Sequence, residues 1–158
     1  MFQRSGSASM TILAVSLLGF ALIGCEWDFP LTPEPTREVV PQLTGDWFSL
    51  SDGARLTIRQ LDPRSYVVVS DGEPYRVIHT DLGGAPLVSV QQLQDERKWV
   101  WYSWHTSDDG NTLELRYLDP KFIRAHASDR AAIVRFVEEN LKNPQLYGET
   151  LRFARVEK

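Results

Sequence analysis

From residue 44 to residue 158 the chain is a series of short segments in which apolar and polar side chains alternate. Leu56 and Ile58, for example, alternate with Arg55, Thr57 and Arg59. Alternation with a period of two indicates strands with one buried face, and regularly spaced strands separated by Gly, Pro, Asp and Asn are typical of all-β folds. We predict strands over residues 46–50, 55–61, 65–70, 74–80, 86–93, 98–106, 112–118 and 150–156.

One segment departs from this alternation. Residues 128–143 place Ile133, Phe136, Val137 and Leu141 on one helical face, with Ser128 before them as an N-cap. The sequence therefore predicts one helix, at about 128–143, before the last strand. The predicted fold class is mainly β: a small antiparallel barrel or a strongly curved sheet of about eight strands.

The segment KWVWYSWHT, residues 98–106, is apolar on both faces of its strand. Trp99 and Trp101 point to one side, whereas Val100, Tyr102 and Trp104 point to the other. Both sides should therefore be covered, one by the barrel interior and the other by the helix. We expect Trp99 and Trp101 to face the interior.

The motif Gly45-Asp46-Trp47 resembles the Gly-x-Trp entry to the first strand of lipocalins and related calycin barrels. The resemblance implies a lipocalin-like β domain in which Trp47 plugs the closed end of the barrel. It also implies that an arginine of the last strand, Arg152 or Arg155, packs over that ring. In lipocalins the helix follows the last strand, whereas here it is predicted before that strand.

A second constraint lies at the amino terminus. Residues 10–23 carry no charge, and 14 residues of helix reach only about 21 Å, less than the roughly 30 Å of a bilayer core. This length is typical of a signal peptide rather than of a membrane span. The chain has one cysteine, Cys25, directly after this run, so no intramolecular disulfide can form.

Leu22-Ile23-Gly24-Cys25 resembles the lipobox of bacterial lipoproteins. The resemblance implies cleavage before Cys25 and attachment of diacylglyceryl to its sulfur. A third acyl chain, usually palmitate, would be carried by the new amino terminus. Two or three chains anchor a protein stably, whereas one does not. Residue 26 is Glu rather than the Asp that holds enteric lipoproteins in the inner membrane, which implies the outer membrane if the source has one.

Three parts of the chain follow from these patterns: a lipoprotein signal peptide (1–24), an acylated cysteine with a proline-rich tether (25–43), and the β domain (44–158). Four prolines between residues 26 and 43 favour extended backbone, so we expect a semi-rigid spacer there. The side chains of Trp27 and Phe29 are expected either to insert into the headgroup layer or to pack on the domain.

Charge and motif spacing exclude several functions. The signal peptide holds one of the 17 Lys and Arg residues and none of the 21 Asp and Glu, so the mature chain is acidic and unsuited to nucleic acid. His79, His105 and His126 lack the spacing of metal ligands, and we expect no metal or cofactor. Residues 108–111 (DDGN) suit a hairpin turn better than a calcium loop.

The predicted function is that of a non-catalytic binding module for a protein partner, held at the bacterial cell envelope by lipid. The alternative is a carrier of a small apolar ligand, lined by Trp47, Trp99 and Trp101. A hydrolase is a distant third, because Ser103 and His105 share one strand face but lie about 7 Å apart. We therefore predict that the protein is not an enzyme.

Overall fold

The computed structural model describes residues 27–94 and 96–156, which form a closed eight-stranded antiparallel barrel. Each strand pairs with the next in sequence, and the first pairs with the last, so that Trp47 lies opposite Arg155. Closure removes the unpaired edges that invite aggregation. The predicted barrel is confirmed. Its strands are β1 (Gly45–Ser49), β2 (Arg55–Asp62), β3 (Ser65–Ser70), β4 (Glu73–Leu82), β5 (Ala85–Gln92), β6 (Trp99–Thr106), β7 (Thr112–Leu118) and β8 (Tyr147–Arg155).

The prediction of a single helix at 128–143 is wrong, since two helices separate β7 from β8. They are α1 (Pro120–His126) and α2 (Arg130–Asn140). Asp119 caps α1 by accepting a hydrogen bond from the Lys121 N–H, and Pro120 suits its first turn. Ala127 is extended, which ends α1, and Asp129 rather than Ser128 caps α2. Single-turn helices of the 3-10 type also occur, at Pro41–Leu43 and Pro144–Leu146.

The barrel encloses one hydrophobic core, and its helices cover a second. Residues on the apolar faces of the alternating strands pack in the interior core, as the alternation predicts: Leu56, Ile58, Tyr66, Val68, Tyr75, Val77, Leu113, Leu115 and Phe153. Ile123, Ile133 and Val137 of the helices pack on the outer wall, against Ile78 of β4 and Leu87 of β5. Among the described residues, neither helix has the length and apolar character needed to cross a bilayer.

The orientation of β6 is the reverse of the expected one. Trp99 and Trp101 lie on the outer wall beneath the helices, whereas Val100 and Tyr102 are buried in the barrel interior. The physical reason is that both faces of β6 are covered by apolar groups. Alternation alone then fixes which residues share a face, but not which face is inside.

Antiparallel order places alternate connections at opposite ends of the barrel. The upper end carries the β1–β2, β3–β4 and β5–β6 connections, at residues 50–54, 71–72 and 93–98, and the β7–β8 connection, at residues 119–146, which holds the helices. The lower end carries those between β2 and β3, β4 and β5, and β6 and β7. The chain enters β1 from the lower end, where the Pro41–Leu43 turn places Leu43 in the interior core.

Residues 27–40, here called the strap, run along the outer wall from the upper end to the lower end. Trp27 forms an isolated bridge with Trp99, and the Leu31 N–H donates to Ser89 Oγ (3.1 Å). Farther along, the Thr36 N–H donates to the His79 carbonyl (3.1 Å). Proline has no backbone N–H and cannot donate to the hydrogen-bond ladder of a sheet. The prolines of the strap therefore suit isolated hydrogen bonds to the wall rather than a ninth strand. Trp27 and Phe29 thus pack on the domain, and the described part of the proline-rich segment belongs to the folded unit.

Candidate functional site

The barrel interior holds an apolar cavity of about 60 Å³. Small-molecule sites usually enclose about 300–1,000 Å³, and an engineered cavity that binds benzene measures about 150 Å³. The interior is therefore mostly filled by its own side chains. Those lining the cavity come from six strands and the entry turn: Leu43, Leu56, Ile58, Tyr66, Val68, Ser70, Tyr75, Val77, Val88, Val90, Tyr102, Trp104, Leu113 and Leu115.

The residues expected to line a ligand site are not brought together. Trp47 lies at the lower end, and Trp99 and Trp101 lie on the outer wall. Trp101 stacks on Trp27 of the strap, with ring centroids 4.4 Å apart. The cavity is lined instead by the opposite face of β6, which includes Trp104.

The lower end is closed by the arrangement that the Gly-x-Trp motif implies. The Trp47 Nε1–H donates to the Leu43 carbonyl (3.0 Å), and the Arg155 guanidinium lies 4.1 Å above the indole ring. Arg155 also donates to the carbonyls of residues 42, 44 and 110, which ties the entry turn to the β6–β7 turn. A Cβ on Gly45 would lie 2.6 Å from Arg155 Nη1, so only glycine leaves room for this cation.

Of the two arginines considered, Arg155 performs the predicted role. Arg152 points to the outer surface and pairs there with Glu114 (3.1 Å). Arg152 and Arg155 lie three residues apart on β8, so their side chains point to opposite faces of the strand.

A buried polar chain at the lower end was not foreseen from the sequence. The Val40 N–H donates to Tyr66 Oη (2.6 Å), and the same hydroxyl shares a hydrogen bond with His79 Nε2 (2.6 Å). The other ring nitrogen of His79, Nδ1, has no hydrogen-bond partner among the described residues. The only sequence signal was that His79 shares the alternation of Tyr75 and Val77.

This environment strongly favours neutral imidazole. His79 is fully buried, and burial, assisted by the nearby Arg37 cation, lowers its pKa from 6.5 to about 4. A pKa lower in the folded than in the unfolded chain means that the unfolded chain binds the proton first. The stability that His79 confers is thus complete above pH 6.5 and is lost as the pH falls towards 4.

We expect the free energy of unfolding to fall by on the order of 3 kcal/mol from this group between pH 6.5 and 4. In His79→Gln this pH dependence of the free energy of unfolding should disappear, as measured by urea denaturation at several pH values. Thr80→Val is the matched control, because Thr80 is also fully buried but does not titrate. It should lower stability by a constant amount and retain the slope. An unchanged slope in His79→Gln would contradict the assignment.

The upper part of the interior is rich in tyrosine. Tyr102 is buried, and burial together with the neighbouring Tyr117 and Tyr75 raises the pKa of its phenol. Its ring contacts that of Tyr117 at a centroid distance of 5.7 Å. The Tyr102 phenol therefore stays neutral and serves as a packing group with a polar atom.

The remaining residues considered for chemistry are dispersed. Ser103 is half-buried and His105 exposed on the outer face of β6, and among the described residues no hydrogen bond joins them. The carboxylate of Asp81, which could have joined Ser103 and His105 in a catalytic triad, pairs instead with Arg37 (3.6 Å). His126 stacks on Phe136 at the helices. Within the described residues, no three His, Cys, Asp or Glu side chains are grouped to hold a metal ion.

Residues 108–111 form the turn predicted from their composition. Asp109 Oδ1 accepts hydrogen bonds from Ser107 Oγ (2.6 Å) and the Asn111 N–H (3.0 Å), and Gly110 has a φ of 71°. These bonds lower the pKa of the Asp109 carboxyl. The predicted acylation site, Cys25 with Leu22, Ile23 and Gly24, lies outside the described residues.

Comparison with known proteins returns nothing that identifies this chain. No protein-family profile, no curated protein and no solved structure gives a significant match. The likeness to lipocalins therefore consists of the Gly45-Asp46-Trp47 motif and the arrangement of Arg155 over Trp47.

Proposed function

We propose that this protein is a lipid-anchored envelope lipoprotein whose barrel is a non-catalytic binding module for a protein partner. The lipobox-like sequence ending at Cys25 supports the anchor, and Glu26 favours the outer membrane in a source that has one. The observation that carries the binding role is the filled interior. This cavity of about 60 Å³ is too small for a ligand of ordinary size, so we assign binding to the outer surface.

The outer surface is unequally covered. The helices and the strap lie over the wall formed by β4, β5 and β6. No such layer from the described residues lies over the outer faces of β8, β1, β2 and β3, and we call this surface the bare wall. It presents Phe48, which is 45% exposed, and Val69. In the register of β1, Phe48 lies between Arg55 on β2 and Ala154 on β8.

The composition of the bare wall suits a protein interface. Aromatic residues and arginine are enriched in interfaces and dominate their energetics, and Phe48 with Arg55 supplies both types. Arg59 donates to both carboxylate oxygens of Asp46 (2.8 and 2.9 Å). This ion pair gives the bare wall a polar rim. The strands beneath are held in a closed barrel, so a partner would meet a preorganised surface.

The test is site-specific photo-crosslinking in the native envelope. A photoreactive residue at position 48 should give one discrete protein adduct, whereas the same residue at position 61 should not. Leu61 is the matched control, since it is 56% exposed but lies near the lower end of β2. Phe48→Ser combined with Val69→Ser should reduce recovery of the adduct partner at least about tenfold, as expected when an aromatic anchor is lost.

Carriage of a small apolar ligand is the second candidate, and one observation favours it. Trp104 lines the cavity, and the described residues offer no acceptor for its buried Nε1–H. A small ligand with one acceptor would satisfy that donor. Native mass spectrometry of protein purified from envelopes separates the two: a bound molecule of fixed mass, without an adduct at position 48, would contradict the partner role.

A further inference from the structure

We infer that the upper end of the barrel faces the bilayer and rests its exposed leucines, Leu50 and Leu93, on the lipid surface. This inference rests on the acylation of Cys25 in the proposed function. It concerns which end of the domain meets the membrane that the acyl chains enter.

The position of Trp27 carries the inference. The backbone of Trp27 exchanges two hydrogen bonds with Trp99, both 2.8 Å, and its side chain is only 5% exposed. The Trp27 ring is held between Trp101, on which it stacks, and the Arg124 guanidinium, 4.5 Å from its centroid. Trp99 is the first residue of β6 and therefore lies at the upper end.

Only one residue separates Cys25 from this fixed point. Two residues of chain span at most about 7 Å between Cα atoms, so the acylated sulfur stays close to the upper end. The thioether of a diacylglyceryl cysteine sits at the headgroup level, because the chains it carries enter the hydrocarbon. A long spacer between Cys25 and the domain would let the domain turn freely. Because the strap is packed on the wall from Trp27 onward, no such spacer is present.

The upper end also presents apolar side chains. Leu50 in the β1–β2 connection is 58% exposed, and Leu93, which follows β5, is likewise exposed. Exposure does not by itself select this end, since Leu61 and Val156 near the lower end are equally exposed. The position of the anchor selects the upper end, because Cys25 precedes Trp27, and Trp27 is fixed beside Trp99 at that end.

The charges at the upper end are mixed. Its described connections, including the start of the one between β7 and β8, carry the acids Asp52, Asp71, Glu96 and Asp119 and the cations Arg97, Lys98, Lys121 and Arg124. Lys98 is occupied by ion pairs with Asp28 of the strap and with Glu96 (3.5 Å for the latter). The described residues of this end therefore give it no excess of cations to attract anionic lipid, and the contact should be apolar and insensitive to lipid charge.

The experiment places one fluorophore at a time on the mature, acylated protein in phosphatidylcholine vesicles containing a nitroxide-labelled lipid. The variants are Leu50→Cys and Leu93→Cys at the upper end, with Leu61→Cys and Val156→Cys as matched controls. The sulfur of Cys25 is blocked by acylation, so each introduced thiol is the only one to react. We expect the upper probes to lose most of their fluorescence and the lower probes to keep theirs, with or without phosphatidylglycerol.

A second variant tests the cause. A Gly-Ser spacer of about ten residues between Glu26 and Trp27 gives a flexible reach of roughly 18 Å. Vesicle binding should persist, while quenching at positions 50 and 93 should fall to the level of the controls. Equal quenching at both ends in the parent protein, or unchanged quenching with the spacer, would overturn the inference. Intact mass distinguishes the two failures, since protein without acyl chains contradicts the proposed function instead.

Discussion

Replacement of Trp47 with alanine is expected to lower the free energy of unfolding by about 3–5 kcal/mol. Trp47 is fully buried at the lower end, and its loss leaves a cavity between β1 and the entry turn. It also removes the donor of the Leu43 carbonyl and the aromatic face beneath Arg155. Small domains are stable by only about 5–15 kcal/mol, so this single change removes a large fraction of the total.

Urea denaturation with fluorescence or circular dichroism measures the effect. Phe48→Ala is the matched control, because Phe48 neighbours Trp47 on the same strand but points to solvent, and it should cost less than about 1 kcal/mol. Trp47→Phe keeps a ring beneath the Arg155 guanidinium and should recover much of the loss. Equal costs for Trp47→Ala and Phe48→Ala would show that the closed end contributes little to stability.

The sequence predicts the barrel because most strands have one apolar face. In β2, Leu56 and Ile58 can face only the interior, since Arg55 and Arg59 on the other side are charged. In β6 this constraint is absent, and the choice between Trp99 and Val100 depends on whether the helices or the opposite strands cover each side. That choice is made by tertiary packing, which alternation does not encode.

The helices and the strap show a related limit. Residues 120–126 form only two turns, too few for a helical periodicity to appear, and the Asp119-Pro120 start is a local signal shared with turns. The four prolines of residues 26–43 indicate extended backbone correctly, but extension fits a free spacer and a packed strap equally well. The deciding contacts, such as Leu31 on Ser89, are long-range.

The candidate site was likewise predictable from the sequence only in part. The resemblance of Gly45-Asp46-Trp47 to the Gly-x-Trp motif implied the closed end and its covering arginine, where Gly45 and Trp47 both contact Arg155. The Tyr66–His79 pair was missed because its partners lie on adjacent strands, thirteen residues apart. Buried polar pairs of this kind are recognised only when strand register is known.

Cys25→Ser is expected to abolish acylation and with it stable anchoring of the mature protein. Serine cannot form the thioether, and the lipobox resemblance implies that cleavage depends on that modification. Each buried CH₂ contributes about 0.8 kcal/mol to membrane affinity, so losing all acyl chains removes far more free energy than any contact of the upper end could replace. Intact mass should show an unacylated chain that still carries residues 1–24.

The uncleaved signal peptide complicates sedimentation, because its apolar run can itself hold the precursor at the membrane. Mass and detergent-phase partitioning should therefore be read together in the native host. Gly24→Ala is the matched control, since the lipobox pattern accepts either residue before the cysteine, and it should mature with acyl chains as the parent does. If Cys25→Ser matured to the parental mass and stayed with the envelope, neither the lipid anchor nor the orientation that depends on it could hold.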